Sequence, residues 1–117
     1  RNKDHITMVN DMGALIYEGQ HKDGKRHGTG TTYYITAIQK GPRKYVGQFK
    51  DDKRHGNGIT YDRAGAKIYE GQYKDDKRHG TGTRFYDTGA IHYVGQWKDG
   101  TCHGNGTLYC RAGAKIY

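Results

Sequence analysis

The stretch Tyr69-Glu-Gly-Gln-Tyr-Lys-Asp-Asp-Lys-Arg-His-Gly-Thr-Gly82 is the feature around which this chain is organised, because everything else repeats it or spaces its copies. Copies begin at Tyr17, Tyr45 and Tyr93, and Tyr117 stands where a further copy would open. The starts at 45, 69, 93 and 117 lie 24 residues apart, whereas the step from 17 to 45 is 28, placing a four-residue insertion between Tyr34 and Lys44. A fixed period of this length marks a repeat array, in which each unit packs on its neighbours instead of around a central core.

Composition supports that reading. Only 32% of the 117 residues are hydrophobic, and 11 of these are Tyr. With a mean hydropathy of -1.09, the chain lacks the aliphatic material of a two-layer domain and borders on the composition of a disordered one. Order is nevertheless expected, since Tyr, Gly, Thr and Ile recur at fixed places. The net charge of +8 permits acidic partners. Cys102 and Cys110 read as free thiols in a reducing, cytoplasmic setting. No apolar run approaches the roughly 18 residues that would cross a membrane as a helix. Starting at Arg1 and stopping on the first residue of a copy, the chain is expected to be a piece of something longer.

Each copy reads as a β-hairpin. In Tyr45-Val-Gly-Gln-Phe-Lys50 the two-residue period puts Tyr45, Gly47 and Phe49 on one face. Tyr69/Gly71/Tyr73 and Tyr93/Gly95/Trp97 repeat the pattern, with His21 as the weakest entrant in the aromatic slot. Asp23-Gly24 and Asp99-Gly100 are strong hairpin turns, and Asp51-Asp52 and Asp75-Asp76 weaker versions. The paired glycines of His-Gly-x-Gly are expected to mark kinking or close approach that lets rings of neighbouring copies stack. Segmentation follows: 1–16 a partial copy or cap, 17–44 repeat 1 with the insertion, 45–68 repeat 2, 69–92 repeat 3, 93–116 repeat 4, and 117 the start of another. The fold class is all-β, a single-layer antiparallel meander of stacked hairpins, on the order of 40 Å long at about 4.8 Å per strand. Copies 2 and 4 share Arg-Ala-Gly-Ala-Lys-Ile-Tyr, and Glu18, Val46, Glu70 and Val94 alternate, which points to duplication of a two-hairpin unit.

The motif Tyr-x-Gly-x-aromatic, a Lys-Asp-Gly turn and a Gly-x-Gly second strand resembles the MORN repeat family, across residues 17–109 in four tandem copies. The departures are Thr101-Cys102 in place of Lys-Arg, His21, and the longer first connection. The resemblance implies single-layer β rods, often dimeric, that serve as scaffolds in ciliary, cytoskeletal and membrane-junction assemblies or as appendages of lipid kinases and lysine methyltransferases.

Candidate chemistry falls into three recurring sets. His27, His55, His79 and His103 recur at one position, but with copies about 9.6 Å apart they cannot share one ion, and a structural role is expected. The pairs Lys25/Arg26, Lys53/Arg54 and Lys77/Arg78 should lie together on one edge, either as contacts for anionic lipid head groups or as a solvated turn neutralised by the neighbouring Asp51/Asp52 and Asp75/Asp76. The aromatic face of Tyr45, Phe49, Tyr69, Tyr73, Tyr93 and Trp97 should hold the rod together, offer a groove to a partner, or both, since a single layer leaves one side of its rings open. Rings and Lys-Arg turns are expected at different places on the hairpin, which makes nucleic acid the least favoured partner. No recurring nucleophile–base or carboxylate pair is present, and neither cofactor nor metal is expected.

The sequence thus points to a non-catalytic scaffold for protein partners, including a second copy of itself as homodimer or head-to-tail assembly, associated with cytoskeleton, cilium or membrane. The alternatives are an anionic-phospholipid tether acting through the basic turns and a regulatory appendage of an enzyme domain lying outside this chain. Replacing Arg54 and Arg78 with Glu is expected to leave the fold intact and alter only binding.

Overall fold

A computed structural model describes residues 4–36 and 40–116. Tyr117 and residues 37–39 of the insertion lie outside the described residues. Nine strands form one sheet in strict sequence order, every neighbouring pair antiparallel. They are β1 (His5–Val9), β2 (Leu15–Lys22), β3 (Lys25–Tyr33), β4 (Arg43–Lys50), β5 (Lys53–Tyr61), β6 (Lys67–Lys74), β7 (Lys77–Phe85), β8 (Ile91–Lys98) and β9 (Thr101–Leu108). The array is an open meander measuring 46 × 28 × 23 Å, and the described residues contain no helix.

Two kinds of connection alternate. The two-residue turns hold both central residues at positive φ: Asp23 at 54° and Gly24 at 81°, Asp51 at 50° and Asp52 at 71°, Asp75 at 50° and Asp76 at 72°, Asp99 at 51° and Gly100 at 88°. This is the type I′ geometry whose twist matches the flanking strands, and Asp tolerates it better than most side chains. The opposite connections span five residues, as in 62–66, where Asp62 Oδ1 accepts the N–H groups of Ala64 and Ala66, each at 2.9 Å. Asn10 caps the β1–β2 connection the same way, at 3.0 and 2.9 Å. Between β3 and β4 the closing bond runs from Tyr34 N to Pro42 O at 2.9 Å, whereas its counterpart runs from Asp62 N to Ala66 O. The four extra residues therefore lie between Tyr34 and Pro42.

β1 meets β2 with Met8 opposite Tyr17 and a shift to Val9 opposite Leu15. β7 meets β8 in the same register, Arg84 opposite Tyr93 and Phe85 opposite Ile91. The core is one line of buried rings along the array: Tyr17, Tyr45, Phe49, Tyr69, Tyr73, Tyr93 and Trp97, with Ile6 and Met8 packed at one end and Leu108 at the other.

Candidate functional site

The ring face is built from three repeat residues acting together. Each first-strand tyrosine lies flat across a pair of facing glycines. Tyr69 covers Gly71 and Gly82, which are opposed in the register. A Cβ on Gly82 would collide with the Tyr69 ring, and one on Gly71 would come within 2.6 Å of Thr81 O. The phenol then donates to the backbone carbonyl of Gln72 at 2.8 Å. That glutamine fills the bulge created where the register slips between Gly71 and Tyr73. Its Oε1 accepts Thr81 N–H at 2.9 Å, over Gly80 at φ 68° where a side chain would clash with it. Tyr17/Gln20, Tyr45/Gln48 and Tyr93/Gln96 repeat the arrangement. The paired glycines thus do provide close approach, but toward a ring of their own hairpin.

With the tyrosines laid flat, the second ring of each hairpin bridges to the previous one. The order Tyr17, Phe49, Tyr45, Tyr73, Tyr69, Trp97, Tyr93 forms an unbroken edge-to-face ladder with centroid spacings of 5.4, 5.0, 5.3, 5.2, 5.3 and 5.3 Å. Trp97 Nε1 donates to Gly82 O across the repeat boundary at 3.1 Å. Edge-to-face packing at these distances adds about 0.5–1.5 kcal/mol per pair beyond the burial. Burial pushes the Tyr69 phenol up to about 12 and raises those of Tyr17 and Tyr45 as well. All six rings expected to leave an open side, Tyr45, Phe49, Tyr69, Tyr73, Tyr93 and Trp97, are at most 7% exposed. That expectation is corrected: neighbouring rings and arginines close the side a flat single layer would leave bare.

The basic pairs also separate. Adjacent strand residues point to opposite faces, and the lysine and arginine of each pair differ in exposure. Lys25, Lys53 and Lys77 are exposed, whereas Arg26, Arg54 and Arg78 are half-buried across the ring ladder. Arg26 lies 4.8 Å from the Phe49 centroid, Arg54 4.9 Å from Tyr73, and Arg78 4.8 Å from Tyr69 and 5.2 Å from Trp97. Rings and arginines therefore share one place, contrary to the expected separation. Nor do the arginines pair within their own turn. Arg26 Nε donates to Asp52 Oδ1 and Arg54 Nε to Asp76 Oδ1, both at 2.7 Å, each reaching the turn of the following repeat. The same arginines donate Nη2 to the Asp52 and Asp76 carbonyls at 2.6 and 2.7 Å. In return Asp52 N and Asp76 N donate to Arg26 O and Arg54 O, at 2.9 and 3.0 Å. The Arg26 hydrogen bond holds the Asp52 carboxyl below its usual range; for Asp76, burial acts in the opposite direction and is outweighed by the bonds from Arg54.

A continuous groove of about 950 Å³ follows this face, lined from Met8 on β1 to Gly100 in the β8–β9 turn. Its exposed lining includes Ile35, Lys44, Arg63 and Lys77. Tyr34 anchors the insertion there, donating to Tyr61 O at 2.6 Å, with Arg63 stacked 4.8 Å from its ring.

The MORN repeat model matches residues 17–36, 45–66, 69–91 and 93–115, most of the chain. The chain belongs to the MORN repeat family. No curated protein matches it.

His27 Nδ1 lies 3.5 Å from Asp51 N of the next repeat, at the limit of a hydrogen bond, and His55 and His79 are half-buried at the equivalent strand position while His103 is exposed. Among the described residues no group of three or more His, Cys, Asp and Glu is placed to hold a metal ion. Cys102 and Cys110 are both free thiols. Sequence reasoning passed over Tyr34, Tyr61 and Arg63. Their signal was present: Tyr86 donates to Tyr109 O at 2.7 Å, and Arg111 stacks 4.9 Å from Tyr86, so the doubled unit has a structural counterpart in each half.

Proposed function

We propose that this MORN array is a non-catalytic scaffold that binds an extended segment of a partner protein along its ring face. The observation that carries this reading is the groove's length: its lining runs from Met8 across the first three repeats and touches the fourth at Gly100. A channel crossing three repeats suits a chain-like ligand better than a compact small molecule, which pockets enclose on most sides. Beneath it the rings and the Arg26–Asp52 and Arg54–Asp76 pairs form a stiff floor. Above it stand the exposed side chains of Ile35, Lys44, Arg63 and Lys77, of which Lys44 has no lysine at the equivalent place in the other repeats, where Ile16, Ile68 and His92 stand.

The test is affinity capture with the wild-type chain and with a Lys44→Glu/Arg63→Glu variant, whose side chains lie outside the ring ladder. A partner held by the wild type and lost by the variant, with an unchanged Tm, is the expected result. Equal capture by both removes the groove from the reading. A second reading, an anionic-lipid tether, is favoured by one observation: Lys25, Lys53 and Lys77 are all exposed at equivalent points beside the two-residue turns, each worth about 1 kcal/mol near an anionic surface. Sedimentation with phosphoinositide liposomes above neutral ones, abolished by Lys25→Glu/Lys53→Glu/Lys77→Glu, would put that reading first.

A further inference from the structure

The inter-repeat ladder of arginine and aspartate stops one rung early. Arg26 finds Asp52 and Arg54 finds Asp76, with Nε–Oδ1 distances of 2.7 Å in both. In each case the arginine's backbone N–H also points to that same oxygen, at 3.3 and 3.1 Å. Arg78 occupies the third equivalent position, stacked on Tyr69 and Trp97 as its counterparts stack on theirs. The backbone frame is the same too, since Gly100 N donates to Arg78 O at 3.0 Å as Asp76 N and Asp52 N do to Arg54 O and Arg26 O one and two repeats earlier. Only the carboxylate is missing, because the residue in that turn is Gly100. Among the described residues Arg78 has no carboxylate partner, and a Cβ on Gly100 would meet nothing within 4 Å.

We propose that Arg78, with the open space over Gly100, is a receptor for the carboxylate of an acidic side chain from a bound protein, which completes the rung that Asp52 and Asp76 complete internally. Two in-chain examples define the ligand: one carboxylate oxygen accepting a guanidinium Nε–H and a backbone N–H. The position lies in the groove, whose lining includes Lys77, Arg78 and Gly100. Lys77 is exposed beside the site and adds positive charge, with the exposed Asp99 next to Gly100 as the acid of the same turn. A partner segment lying in the groove would thus be fixed in register by an Asp or Glu at this end. Charge-assisted bonds of this type are stronger than neutral ones and specify position as well as affinity.

The assignment rests on the protein-binding reading for its partner, but the receptor itself can be tested without one. Trp97 is the only tryptophan in the chain, and Arg78 and Arg84 both stack on it, at 5.2 and 5.4 Å, so its fluorescence detects a change at either guanidinium and the site is assigned by NMR. Sodium acetate is titrated against sodium chloride at equal ionic strength, followed by a capped tri-glutamate peptide and by inorganic phosphate. Amide and Arg Nε–H shifts are recorded by NMR in parallel. The expected result is a saturable response to acetate, tighter for the peptide, centred on Arg78 and Gly100. It should weaken at least tenfold in Gly100→Asp, which supplies the carboxylate internally and should melt above the wild type, and also in Arg78→Gln. A response equal to that of chloride, one unchanged in Gly100→Asp, or phosphate binding more tightly than the peptide would each overturn the assignment. If acetate titrates this site while Lys44→Glu/Arg63→Glu captures as the wild type does, the receptor stands and the extended-groove reading falls.

Discussion

At the residue scale, the repeat motif is a set of mutual requirements. A tyrosine can lie flat only because two glycines face each other beneath it, and its phenol finds Gln72 O only from that position. Gly82→Ala should therefore cost about 1–3 kcal/mol by overpacking, with Tyr69 forced out of the ladder. Tyr69→Phe keeps the ring and loses one hydrogen bond, for about 1 kcal/mol. Denaturant titration of the two variants should rank them in that order; a larger loss for Tyr69→Phe would mean that the phenol, not the ring's seat on glycine, holds the unit. The aromatic–Gly–aromatic alternation was plain in the sequence because strand period alone displays it. The flat tyrosine was not, because nothing in a one-dimensional pattern says that a ring will bend back over its own hairpin. The bulge clamped by Gln72 was hidden for the same reason, although a glutamine after every Tyr-x-Gly was its visible trace.

At the scale of the hairpin, neighbours are joined by rings, by arginine stacking and by ion pairs that cross from one repeat to the next. Reading Lys-Arg as one basic unit missed this, since pairing across 26 or 22 residues leaves no local signature. The consequence for Arg54→Glu is a change in stability as well as in binding. It would set a carboxylate against Asp76 and uncover Tyr73, and a loss of about 1–3 kcal/mol is expected from breaking a partly exposed pair, losing the arginine stacking and placing like charges together. A melting temperature equal to the wild type's would show the pair to be idle. The pH profile follows from the same contacts. Asp52 and Asp76 have folded pKa values below the ordinary 3.8, so their contribution is present above that value and is lost as pH falls through the lower folded values. Being about half exposed, with 54% and 50% of their side chains accessible, they contribute modestly. Tyr69 acts at the other limb. Its raised pKa favours the neutral phenol in the folded state, so stability holds below 10 and falls as pH rises from there toward about 12. Thermal melts across pH should show a plateau bounded by these two limbs, with the acid limb flattened in Arg26→Ala/Arg54→Ala.

At the scale of the whole molecule, each strand pairs only with its sequence neighbours, so stability is a sum of hairpin and interface terms. The repeat period made this architecture legible before any contact was known, whereas the groove was not, because its lining brings together side chains far apart in the sequence, as where Tyr34 reaches Tyr61. A linear array makes a sharp claim about Trp97. Among the described residues this ring alone stacks on both Tyr69 and Tyr93, and its indole reaches Gly82. Trp97→Ala should cost about 3–5 kcal/mol at that interface, with the loss confined to its neighbourhood. Native-state hydrogen exchange is the measurement: amides of β8 and β9 should lose protection, while β4 and β5, held by Phe49, Tyr45 and Tyr73, should keep it. Tyr45→Ala should do the reverse, lowering protection through the middle of the array because Tyr45 contacts both Phe49 and Tyr73. If Trp97→Ala instead lowers protection equally in all strands, the rings act as one cooperative core. Binding at the Arg78 end could then be felt along the full length of the groove.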